Sequence, residues 1–104
     1  MLFRQGDVFI ETVAGIPAGA TRRGDVVLAD GELTGHQHRI EDETAAAILE
    51  HRGRTFLQVF ADRARLVHDE HGPIELERGI YRFWRQREYD ARRFSTSGSR
   101  FVID

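Results

Sequence analysis

Ala46-Ala47-Ile48-Leu49-Glu50-His51-Arg52-Gly53-Arg54-Thr55-Phe56-Leu57-Gln58-Val59-Phe60-Ala61 is the stretch on which the fold class turns. Residues 55–61 are β by composition, since β-branched and aromatic side chains suit a pleated, half-buried surface. The preceding half has two readings. Ala45, Ile48, Leu49 and Arg52 have helical spacing, Asp42 or Thr44 can cap the start and Gly53 can end it, which gives a short helix over 42–52. Alternatively 46–50 is a strand, Arg52-Gly53 its turn and 55–61 the returning strand of a hairpin. A lone short helix finds little else helical to pack against, so the hairpin is favoured. The expected fold is all-β, with at most one short helix.

Outward from this hairpin the chain keeps the same texture. Val8-Phe9-Ile10-Glu11-Thr12-Val13, introduced by Gly6-Asp7, reads as the first strand. Residues 14–20 break the pattern with two glycines and a proline and read as a loop. Val26-Val27-Leu28-Ala29 is a second strand, closed by the Asp30-Gly31 turn signal. Beyond the hairpin, Arg65-Leu66-Val67-His68 and Ile74-Glu75-Leu76-Glu77 are further strands, Arg78-Gly79 is a turn, and 80–89 is the longest strand candidate. Its faces are both mixed: Ile80, Arg82, Trp84, Gln86 and Glu88 on one, Tyr81, Phe83, Arg85, Arg87 and Tyr89 on the other. Such a strand offers aromatics and arginines to a cleft or to another copy, so a homo-oligomer is expected. Ser95-Thr96-Ser97-Gly98-Ser99 reads as a polar link before a short edge strand at 101–103. Many short strands between glycine-containing turns predict a small antiparallel β-barrel or sandwich.

A chain of 104 residues makes one domain, 1–104, with a modest core. Without a long apolar run or a secretory signal, neither a membrane partner nor export is expected, and the default compartment is cytoplasmic. The absence of cysteine removes disulfides and thiolate metal sites. Every basic residue is arginine, a planar fork suited to carboxylate or phosphate. The net charge of -2 is unevenly spread, with seven of the fifteen arginines lying between positions 78 and 100 and only Glu88 and Asp90 beside them.

Four of the five histidines fall in two short clusters, Gly35-His36-Gln37-His38 and His68-Asp69-Glu70-His71-Gly72. On a strand, His36 and His38 point to one face. His68 and His71 run into Gly72-Pro73, so a strand end and turn can aim them at the first pair. Imidazole and carboxylate suit a divalent zinc, manganese, iron or nickel ion, and a catalytic metal keeps an open position. The expected metal residues are His36, His38, His68 and His71, with Glu70 as an alternative to His68. His51, beside the Arg52-Gly53 turn, is expected outside the site. The plainer reading is an ordinary HxH pair on a polar strand face.

The run Gly31, His36-Gln37-His38 and Glu43 resembles the first metal motif of the cupins, small β-barrels in which an HxH pair, a glutamate and a later histidine hold a divalent metal. That resemblance implies a cupin-like barrel with Glu43 near the metal, although His68-Asp69-Glu70-His71-Gly72 is not a cupin signature. The wider layout, GDVFI, TGHQHRI, LVHDEHGPIEL and RQREY, is similar to a group of small bacterial and phage-associated β proteins with GHxH and HxEHG motifs. No activity comes with that second resemblance.

Three classes of function remain open from the residues. In a metal-dependent hydrolase or nuclease, His36, His38 and His71 would hold the ion, Glu70 would accept a proton, and Arg85 and Arg87 would grip the phosphate of a phosphodiester or RNA. The same residues without metal could cleave RNA by acid and base histidines, with Tyr81, Phe83, Trp84 and Tyr89 offered for base stacking. The cupin-like class would be a small-molecule dioxygenase or isomerase. The third is a non-catalytic phage- or mobile-element-associated assembly subunit, its acidic and basic parts pairing head to tail.

Overall fold

The computed structural model describes residues 1–31 and 35–86, and these form eight antiparallel strands with no α-helix. The strands are β1 (Leu2–Gln5), β2 (Val8–Thr12), β3 (Thr21–Arg22), β4 (Val27–Asp30), β5 (Gln37–Ile40), β6 (Ala46–His51), β7 (Arg54–Val67) and β8 (Ile74–Arg85). The hairpin reading of 46–61 is the one adopted. Arg52 (φ 51°) and Gly53 (φ 78°) both take positive φ between paired His51 and Arg54, the backbone that a two-residue I′ turn requires. The ladder of β6 on β7 then leaves no room for a helix over 42–52.

All strands belong to one sheet in the order β1-β2-β8-β7-β5-β4, with β6 and then β3 branching from β7. The pairing does not close into a barrel among the described residues. What folds the sheet over is the long β7–β8 ribbon. Leu57 and Val59 point into the core in the first half of β7, whereas Ala64 and Leu66 do so in the second. In β8, Leu76 is buried on one parity and Tyr81 and Phe83 on the other. Both strands therefore change face at one level, where Phe60, Ala61 and Asp62 stand opposite Arg78 alone and the register shifts. The amides of Phe60 and Ala61 both bond to the Ala45 carbonyl, a bulge that bends the strand. Gly79 (φ 153°) supplies the matching bend in β8.

This corner corrects two expectations. Residues 55–61 and 65–68 are not separate strands, and Arg78-Gly79 is not a chain reversal, because β8 goes on pairing with β7 on both sides of Gly79. Two short strands also escaped the sequence reading: β1, which pairs with β2 across a Gly6-Asp7 loop, and β3.

Beyond the corner the first half of β7 carries β6, and the second half carries β5 and then β4. One core fills the fold between them. Val8, Ile10, Ile40, Ile48, Leu57, Leu66 and Leu76 are its most buried side chains. Tyr81 and Phe83 belong to it, with the Tyr81 hydroxyl donating to the Glu77 carbonyl. Neither ring is placed to stack on a base. Trp84, on the other face of β8, stacks on Phe9 of β2 at 5.7 Å, with Arg82 over its ring. Among the described residues no helix is long and apolar enough to cross a membrane. Arg87, Glu88, Tyr89 and the edge strand expected at 101–103 lie outside the described residues.

Candidate histidine site

The register brings the two histidine clusters together. β5 pairs antiparallel with β7 through Arg39↔Val67 and Ile40↔Leu66, so His38 falls opposite His68, one residue beyond the end of β7. Their ring centroids are 4.2 Å apart. His71, in the turn between β7 and β8, lies 4.7 Å from the His68 ring and 5.8 Å from that of His38. His36 stands edge-on to His68 at 5.7 Å. All four rings gather between the start of β5, the β7–β8 turn and the β1–β2 turn. His51 lies elsewhere, at the β6–β7 turn beside Gly19.

His38 is the inner member. β5 alternates exposed and buried, and His38 shares its inward face with Ile40, so His38 does not sit on a polar face, while His36 precedes the strand and is not carried on its face as expected. Its Nδ1 is 2.9 Å from Oε1 of Gln5, itself 2 % exposed. The Gln5 amide has only one sensible orientation, because its Nε2 donates to the carbonyls of Leu66 (3.0 Å) and Gly72 (2.9 Å). The acceptor end must then face His38, which makes Nδ1 the protonated nitrogen and leaves the lone pair on Nε2. Burial, and then the neighbouring charge of His68, hold the His38 pKa down to about 4, against an upward pull from Asp7. The ring is neutral at physiological pH. Burial likewise lowers the pKa of His68, helped by His71 and His36 and opposed by Asp69 and Glu70.

The β1–β2 turn forms the wall of the site. Gly6 has φ 59°, and a Cβ there would lie 2.6 Å from Nε2 of His71 and 3.2 Å from Cε1 of His38. Only glycine lets the backbone pass so close to both rings. Asp7, the next residue, places Oδ1 3.6 Å from His38 Nε2. Arg85 donates to Asp7 Oδ2 from Nε (3.3 Å) and Nη2 (3.2 Å), and to the Asp30 carbonyl from Nη1 (3.0 Å). Partial burial pushes the Asp7 pKa up, but the Arg85 hydrogen bond and charge outweigh it and the net shift is downward. Arg85 thus reaches the site through Asp7 and ties β8 to the β1–β2 turn and to β4.

The outer rim is acidic. His36 has Asp69 at 3.5 Å and Glu70 at 3.6 Å, and the Glu70 backbone amide donates to His68 Nδ1 at 3.0 Å. Glu43 is exposed and lines a separate cleft with Arg22, Arg23 and Asp25. Among the described residues no three histidine or carboxylate side chains stand in a ligating array; the rings pack on one another. The donor types suit a divalent ion all the same: neutral imidazoles, one with an oriented lone pair, and nearby carboxylates.

Gln5, Gly6 and Asp7 are the site residues that sequence reasoning missed. In the sequence Gly6-Asp7 only introduces a strand, and nothing there says that it meets a histidine pair some thirty positions away. No curated protein and no solved structure matches the chain. Residues 4–86 match the family described as Domain of unknown function (DUF8820), a span that runs from just before Gln5 to just after Arg85, and the chain belongs to that family.

Proposed function

We propose that the histidine cluster binds a divalent transition-metal ion and that the protein uses it as a small hydrolase of phosphodiesters. The observation that carries this reading is the Gln5–His38 pair: a buried imidazole whose Nδ1 proton is committed to a fixed amide turns an unprotonated Nε2 toward its neighbours. Metal-binding histidines are oriented in this way by a second partner. A ring held neutral to about pH 4 is poorly matched to general-base work near pH 7, which favours a ligand role for His38 over metal-free acid–base cleavage. A zinc, manganese, iron or nickel ion, when bound, would supply Lewis acidity and lower the pKa of water. His38 and His71 would hold the ion, with the His68 ring packed against both. His36 with Glu70 would hold and pass a proton at the rim, where both are partly exposed. Arg85 would hold Asp7 in place rather than grip the substrate phosphate.

Protein stripped with chelator and titrated with Zn²⁺ and Mn²⁺ by calorimetry should bind about one equivalent, with a dissociation constant below ~10 µM. His38→Ala should weaken binding by ~100-fold or more. The metal-loaded protein should then cleave RNA, single-stranded DNA or an aryl phosphodiester, and His38→Ala should not. Absence of binding at millimolar metal would overturn the reading, whereas binding without cleavage of any of these would leave a metal site and remove the hydrolase.

A further inference from the structure

We infer that the metal position of this cluster is completed by Asp7 and not by His36, so that His38, His71 and the Asp7 carboxylate form a two-histidine, one-carboxylate set at the Gln5-Gly6-Asp7 turn. The inference rests on the metal-binding reading above and names its ligands and the class of ion they suit.

Three observations carry it. The first is a pair of acceptors facing each other. Gln5 fixes the His38 proton on Nδ1, so Nε2 presents a lone pair, and the nearest acidic atom is Asp7 Oδ1 at 3.6 Å. A lone pair and a carboxylate oxygen turned toward one another are repulsive unless something positive lies between them. Two ligands ~2.1 Å from a metal and at a tetrahedral angle are ~3.4 Å apart, close to the observed separation. The second observation is the division of labour within Asp7: Arg85 bonds Oδ2 from two nitrogens, and Oδ1 is the oxygen turned to His38. A carboxylate held on one oxygen by an arginine is oriented for the other oxygen to ligate. The third is the glycine between them. The Cβ position of Gly6 would fall 2.6 Å from His71 Nε2 and 3.2 Å from His38 Cε1, so both rings converge on one point of the turn that carries Asp7. His71, in an exposed turn, is the outer member of the set and His38 the buried one.

His36 is placed differently. It faces Asp69 and Glu70 at the rim and stands edge-on to the His68 ring at 5.7 Å. Its place is at the rim, with the carboxylates of the 68–71 turn and outside the ligand set. A set with a hard carboxylate and open positions suits manganese, iron and zinc, and leaves room for water or a substrate oxygen.

The test uses the full chain, stripped and reloaded. Mn²⁺ and Co²⁺ affinity and the Co²⁺ visible spectrum are compared for wild type, Asp7→Asn, Asp7→Glu, His71→Ala and His36→Ala, each checked by circular dichroism. Asp7→Asn and His71→Ala should lower Mn²⁺ affinity by at least ~10-fold and change the Co²⁺ spectrum, Asp7→Glu should recover part of the loss, and His36→Ala should stay within ~3-fold of wild type. Should Asp7→Asn fail to fold, substoichiometric Mn²⁺ added to ¹³C-labelled wild type decides the matter: the Asp7 side-chain carboxyl resonance should broaden before those of Asp69 and Glu70. The ligand set is overturned if Asp7→Asn binds as wild type does, or if Asp69 and Glu70 broaden first while Asp7 stays sharp; the metal reading survives either result. No Mn²⁺ or Co²⁺ binding by wild type overturns both.

Discussion

Gln5 shows how one side chain organises several others. Its amide bonds to the end of β7, to Gly72 after the histidine turn, and to His38 of β5, so three segments are held by a group with almost no exposure. The consequence for stability comes through His38. The folded ring has a pKa of about 4, below its ordinary 6.5. As pH falls from 6.5 toward 4 the unfolded chain takes up a proton that the folded chain refuses, so this contribution is complete above about 6.5 and is lost through that window. The ceiling is about 3 kcal/mol for a displacement of this size. Chelator-treated protein unfolded with urea at pH 7.5 and 4.5 should therefore be less stable at the lower pH, and His38→Gln should flatten the difference. Equal pH dependence in the two proteins would show that His38 is not the group responsible.

At the scale of elements, the β6–β7 turn and the β7–β8 corner do opposite things with the backbone. The turn reverses the chain through Arg52 and Gly53, both at positive φ. Arginine is unfavourable there, because a Cβ crowds the carbonyl in the left-handed region, whereas asparagine tolerates it. Arg52→Asn should therefore stabilise the protein by a few tenths to about 1 kcal/mol, read as a higher urea midpoint with an unchanged slope. A lower midpoint would mean that the arginine side chain contributes more than the backbone strain costs. The corner keeps the chain running forward and changes which face is inside, through the two-amide bulge on Ala45 and the bend at Gly79.

For the whole molecule, the corner is what allows a single open sheet to enclose a core. Leu57 lies on one side of it and Leu66 on the other, both with no exposed surface, and both belong to one cluster. Truncation at either site should be felt globally. Leu57→Ala is expected to cost about 2–5 kcal/mol, lowering the thermal midpoint while the far-UV spectrum stays β in character. Loss of one spectroscopic probe well before another would indicate that the halves on either side of the corner unfold separately.

The sequence by itself determined the all-β class and the residue types of the site, and it favoured the β6–β7 hairpin over a short helix. Those are local matters: β-branched runs, an Arg-Gly pair able to take positive φ, and two short clusters of histidine. The convergence of His36, His38, His68 and His71 was legible for the same reason, since two clusters rich in one residue type ask for a shared location. Only the tertiary structure decided how β7 and β8 run through residues that look like turn signals, because a bulge and a turn differ in what pairs on either side and not in composition. Only it brought Gln5, Gly6 and Asp7 to His38. A glutamine near the start of the chain looks like any surface polar residue until β1 is paired with β2, β2 with β8 and β8 with β7, and the order of that pairing is a property of long-range packing that no local pattern encodes.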